Sequence, residues 1–136
     1  MSLEFDGSWI ESKFKEKLMP HLIVEYSANI ADLVRNKGIV KIAHNAMMNS
    51  GLFSLVDIKT RSYRSEDFLV GDMGTNGGFI HITVYLLAGR TVGQKQTLSR
   101  AILESVSSSF ADIIQISVDI RDIVKETYSK LGTKAS

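Results

Sequence analysis

Apolar positions along this chain alternate between two periods, and the switches mark its elements. Leu22 to Tyr26 is a short apolar run that predicts a strand. Ile39, then Ile42 or Ala43, then Ala46 or Met47 recur at helical spacing, which predicts a helix over about 31–49 with one buried stripe. Gly38 should weaken that helix slightly, and Gly51 stands where a helix end favours a left-handed residue. A second strand is expected over about 55–63. The stretch 64–78, with Gly71, Gly74, Gly77 and Gly78, reads as a loop or hairpin connection. No Gly-Lys-Ser/Thr follows it, and a strand rather than a helix comes next, which argues against a phosphate cradle.

The pattern then starts again. Phe79 to Ala88 predicts a strong strand, and a helix begins at Thr91, where Thr91 and Gln94 have capping-box spacing. Its buried stripe is Leu98, Ala101 or Ile102, Ser105 or Val106, and Ser109 or Phe110. From Ile113 to about Ile123, Ile114, Ile116, Val118 and Ile120 alternate with Gln115, Ser117 and Asp119, the period of a half-buried strand. The polar tail 125–136 is expected to fray or make peripheral contacts.

The two halves match at an offset of about 60 residues: His21-Leu22-Ile23-Val24 with His81-Ile82-Thr83-Val84, and Ile58 to Arg61 with Val118 to Arg121. Two β-α-β units in tandem imply parallel pairing within each unit. The expected fold is α+β: a tandem β-α-β repeat with one four-stranded mixed sheet and two helices on one face. The other face would be bare. Leu22, Val24, Ile80, Ile82 and Val84 supply enough apolar surface to predict oligomerisation through it.

Composition narrows the function. The chain has 136 residues, 16 Lys+Arg and 15 Asp+Glu, so its net charge of +1 excludes a broad basic nucleic-acid surface but permits a local basic pocket. Without cysteine, disulfides, thiolate metal sites and a Cys nucleophile are excluded, and three scattered histidines do not make a metal centre. The longest apolar run, Val84 to Ala88, is too short to span a bilayer. Residues 1–18 mix Glu4, Asp6, Glu11 and Glu16 with Lys13, Lys15 and Lys17, unlike a signal peptide. Ile10, Phe14 and Leu18 would line one side of a short helix. The expectation is a cytoplasmic protein with no membrane or nucleic-acid partner, organised as an N-terminal extension over 1–19 and a single domain over 20–136.

Met19-Pro20-His21-Leu22-Ile23-Val24-Glu25 carries the only proline. It resembles the mature start of the 5-carboxymethyl-2-hydroxymuconate delta-isomerase family, in the tautomerase superfamily. Gly51-Leu52-Phe53 before Ile58 to Arg61, His81-Ile82-Thr83 leading to Ala88-Gly89-Arg90, and Ser117 to Ile120 extend the resemblance, in order, over about 20–126. The resemblance implies a homotrimer and an isomerase of aromatic-compound catabolism that needs no metal or organic cofactor. It implies a small-molecule dicarboxylate or tricarboxylate substrate of unsaturated oxo-acid type. By position it makes Pro20 the acid–base and Lys59, Arg61 and Arg90 substrate-binding residues. Lys59 falls where the family usually has arginine, so it keeps the charge and loses the bidentate fork.

That chemistry suits these residues. A shuttled proton needs a group with a pKa near working pH, and an α-amine lies at about 7.7–8.0 before cationic neighbours lower it. Arginine grips a carboxylate with two charge-assisted bonds, and nearby positive charge stabilises an enolate. Lys59 and Arg61, two apart on a strand, share a face. His21 and His81 open equivalent strands and read first as packing or hydrogen-bonding residues, as Glu25 reads as an ion-pair partner. While Met19 precedes Pro20, however, the proline nitrogen is an amide without a basic lone pair. Either the working chain starts at Pro20, or the protein is a non-catalytic trimeric ligand-binding relative.

Overall fold

The structure, a computed structural model, describes residues 20–113 and 115–131. The expected leader helix and Ile114 lie outside the described residues. Strand β1 (His21–Ser27) is followed by helices α1 (Ala31–Lys37) and α2 (Ile39–Asn49) and strand β2 (Lys59–Ser65). Strand β3 (Phe79–Leu87), helix α3 (Val92–Ser109) and strand β4 (Gln115–Ile123) repeat that order. The sheet order is β2-β1-β3-β4. β1 pairs with β2 and β3 with β4 in parallel, while β1 and β3 run antiparallel and join the two units. The mixed α+β fold read from the sequence is therefore the fold observed.

The first helix is two. Gly38 adopts φ 71° and ψ 57°, ending α1 with its N–H on the carbonyls of Val34 and Arg35, and α2 starts from the same residue. A left-handed residue breaks the helical path, so this glycine divides the helix where the sequence suggested only a weakening. Strand β2 begins at Lys59 because Leu55–Asp57 forms a tight turn first. The capping box is present: Gln94 N–H donates to Thr91 Oγ1 at 3.1 Å, and Thr91 N–H donates to Gln94 Oε1 at 2.9 Å. In the glycine-rich connection, Asn29 Nδ2 donates to the Gly77 carbonyl at 2.6 Å, tying the loop to the end of β1. A Cβ on Gly77 would come within 2.8 Å of the Val70 side chain, so the loop closes only without one.

The core corrects one expectation. Leu22, Val24, Ile80, Ile82 and Val84 do not face an open side of the sheet; all five are buried in the core. The antiparallel register sets Leu22 opposite Val84 and Val24 opposite Ile82, so these side chains share one face. They pack there with Ile39, Ala43 and Met47 of α2 and Leu98, Ile102 and Val106 of α3. Each such buried side chain stabilises the fold by roughly 1.5–3 kcal/mol. Ile116, Val118 and Ile120 of β4 pack against the same cluster. The alternating positions, including His21, Ile23, Glu25, His81, Thr83 and Tyr85, make the other face, which is mixed and largely polar.

The repeat is also uneven at its second strands. His21 pairs with Lys59, whereas its counterpart His81 pairs with Ser117, two positions before the sequence-matched Asp119. The shift preserves the face and changes the chemistry: the first unit presents Lys59 and Arg61, the second Ser117 and Asp119.

Candidate active site

Topology gathers the sequence-selected residues at one end of the sheet. β1 and β2 both start there, and antiparallel β3 ends there, with Tyr85 opposite His21. Pro20 is buried, and its carbonyl accepts the Lys59 N–H at 3.2 Å. This bond extends the β1–β2 ladder by one rung and holds Lys59 beside Pro20. Arg61 follows two residues along the same face. Arg90 stands just past the end of β3, at the same end of the sheet. Its Nη2 donates to the Leu52 carbonyl at 2.8 Å, and its guanidinium lies 5.2 Å from the centre of the Phe53 ring.

Two contacts fix His21. Arg61 Nη1 lies 3.1 Å from His21 Nδ1, and His21 Nε2 lies 3.3 Å from Tyr128 Oη. A guanidinium can only donate, so Nδ1 must be the bare nitrogen and Nε2 carries the proton toward Tyr128. Such a ring is neutral. Burial lowers the His21 pKa below its ordinary 6.5, and the charges of Lys59, Arg61 and Lys130 lower it further. The Lys59 pKa is lowered as well, first by burial and then by Lys130 and Arg61, against an opposing pull from Asp57.

Arg61 and Lys130 therefore both act on Lys59 through space. Among the described residues none of the three forms an ion pair; the ion pairs are Arg35–Asp32, Arg64–Glu66, Lys95–Asp122 and Arg121–Asp119. Lys59 Nζ instead donates to the Asp57 backbone carbonyl at 2.5 Å. Asp57 is buried, with one carboxylate oxygen lacking a hydrogen-bond partner. It is the nearby acid, set in the turn before β2.

Sequence reasoning did not find Tyr128 and Lys130, which lie in the tail read as peripheral, and it gave His21 only a minor part. No periodicity marks an irregular segment that returns across a sheet end. His44, the remaining histidine, sits on the helix side, with Nδ1 2.7 Å from Thr60 Oγ1. Among the described residues no cluster of three or more His, Asp or Glu side chains could hold a metal ion, and no helix is long and apolar enough to cross a membrane.

Two β-α-β units sharing a four-stranded sheet, with cations at the end where a proline opens β1, define a protein of the tautomerase superfamily. The model of the 5-carboxymethyl-2-hydroxymuconate isomerase family matches residues 20–132, and the chain belongs to that family. It is 26% identical over 97 residues to the 5-carboxymethyl-2-hydroxymuconate Delta-isomerase of Escherichia coli, covering 71% of this chain and 77% of that one. Its fold is similar to a 5-carboxymethyl-2-hydroxymuconate isomerase from Deinococcus radiodurans R1, with TM-score 0.78, 20% identity, and coverage of 88% and 94% of the two chains. A fused 4-OT described as a wild-type symmetric trimer is also similar, with TM-score 0.64, 25% identity, and coverage of 81% and 90%.

Proposed function

We propose that this isomerase moves a proton within an unsaturated oxo acid bearing two or more carboxylates, of hydroxymuconate type, with Pro20 as acid–base. The observation that carries this reading is the group of Lys59, Arg61 and Lys130 beside Pro20, none of which forms an ion pair among the described residues. Cations held together with Asp57 as the one nearby acid among the described residues repel one another, and that cost is relieved when a polyanion binds.

The free Pro20 amine accepts the dienol proton as the carbonyl forms, then returns it to a remote carbon. Neighbouring cations favour the neutral, proton-accepting form of an amine, the form this step requires. Lys59 and Arg61 bind substrate carboxylate and stabilise charge on the developing enolate oxygen. Arg90 binds a second carboxylate from the β3–α3 connection. Residues 20–136 form the working domain, and residues 1–19 precede it as an extension. Three such chains assemble as a trimer, as the fused 4-OT does. The cytoplasmic setting and a place in aromatic-acid breakdown belong to the same proposal.

The test is a chain beginning at Pro20, assayed spectroscopically against unsaturated oxo dicarboxylates. Replacing that terminal proline, Pro20→Ala, should lower kcat by about 10²–10⁴, the usual contribution of a positioned acid–base. Unchanged kcat would remove Pro20 from the chemistry. If the Pro20-start chain binds dicarboxylates but turns none over, the protein is a ligand-binding relative instead.

A further inference from the structure

Strand β4 ends at the same end of the sheet where β1 begins, and the segment after it crosses that end to reach His21, which gives it a part in the site. Tyr128 Oη meets His21 Nε2 at 3.3 Å across a sequence separation of 107 residues. His21 Nδ1 meets Arg61 Nη1 at 3.1 Å. The three side chains form one chain of hydrogen bonds from the tail to β2. Its polarity is set at the Arg61 end: Arg61 has no acceptor, so His21 accepts from Arg61 and, as a neutral ring, donates to Tyr128.

We propose that this segment is part of the anion site, with Tyr128 a positioning residue that holds His21 and thereby orients Arg61, and Lys130 a further cation that favours dianions over monoanions. The proposal rests on the reading of this sheet end as a carboxylate site. The contact with His21 uses one of the five guanidinium N–H groups of Arg61 and restricts a long side chain that would otherwise sample many rotamers. A guanidinium held before the ligand arrives loses less freedom on binding. The charged and titratable groups around His21 are Lys59 and Arg61 on β2, Tyr85 on β3, and Tyr128 and Lys130 of the tail, with Asp57 beside Lys59. Lys130 stands two residues past Tyr128, whose contact with His21 holds the segment at this sheet end, so it adds positive charge beside His21 and Lys59.

The test uses the full chain and two unreactive probes, phthalate as dianion and benzoate as monoanion. Long-range proton–nitrogen NMR of the histidine rings should show His21 with Nε2 protonated and Nδ1 bare. Tyr128→Phe should shift the His21 Nε2–H signal while Nδ1 stays bare under Arg61, and weaken phthalate binding by about five-fold, the scale of one hydrogen bond. Lys130→Gln, a change at an exposed side chain that leaves the core intact, should weaken phthalate several-fold more than benzoate. A wild-type His21 protonated at Nδ1 overturns the proposal. So do two variants that both bind phthalate within two-fold of wild type. None of these readouts needs turnover. A chain that binds as described but never isomerises counts against Pro20 chemistry alone, and turnover with both variants silent counts against the tail alone.

Discussion

Arg90→Ala separates two roles that one side chain can hold together. The Nη2 bond to the Leu52 carbonyl, at 2.8 Å, ties the β3–α3 connection to the segment that follows α2. A hydrogen bond from a charged donor contributes about 1.5–3 kcal/mol. The stack on Phe53, at 5.2 Å, adds about 0.5–1 kcal/mol. Truncation also strands the half-buried Leu52 carbonyl, so the expected loss is about 2–4 kcal/mol. With a urea m-value of about 1–3 kcal/mol/M, the unfolding midpoint should fall by roughly 1–2 M at constant m. Arg90→Lys should recover part of this, because lysine keeps a donor and loses the planar stack. The same preparations, started at Pro20, are assayed for KM with a dicarboxylate substrate. A raised KM beyond the stability loss supports carboxylate binding, and unchanged KM makes Arg90 a structural clamp only. A midpoint within about 0.2 M of wild type would refute the clamp.

Gly38→Ala should cost about 1–2 kcal/mol by urea titration, since the position needs φ 71° and a Cβ there would meet nothing within 4 Å, leaving backbone strain as the whole effect. Thr91→Ala should cost about 1 kcal/mol through loss of the α3 cap, with no change in KM for substrate. His21 should make stability pH-dependent. Its folded pKa is depressed, so the unfolded chain binds the proton first; stability is full above the ordinary value of 6.5 and falls as pH drops below it. Urea midpoints from pH 8 to pH 5 should show that slope in wild type, and a smaller one in His21→Gln.

The sheet, its two units and the α3 cap were legible because each rests on local rules: apolar periodicity, and a side chain bonding its own helix end. The division at Gly38 was half legible. A glycine inside a helical pattern signals weakness, but only the path of the chain decides whether it turns left-handed. The apolar strand positions were identified correctly and assigned to the wrong face, because a strand's pattern states that one side is buried without stating which neighbour covers it. Pairing Leu22 with Val84 and Val24 with Ile82 under α2 and α3 settled that. In the site, Pro20, Lys59 and Arg61 were reached through the resemblance and the two-residue strand period. Tyr128 and Lys130 obey neither. They join the proposed site where an irregular segment crosses the sheet end, which no local pattern records.

In the proposed chemistry a free amine on Pro20, beside Lys59 and Arg61, moves the proton. Its most direct test is turnover of one unsaturated oxo dicarboxylate by two chains side by side, one beginning at Pro20 and one retaining residues 1–19, each verified by intact mass before and after the assay. The Pro20-start chain should isomerise it, and the chain whose Pro20 nitrogen is an amide should show no turnover above background. Equal turnover by the intact longer chain would contradict that chemistry.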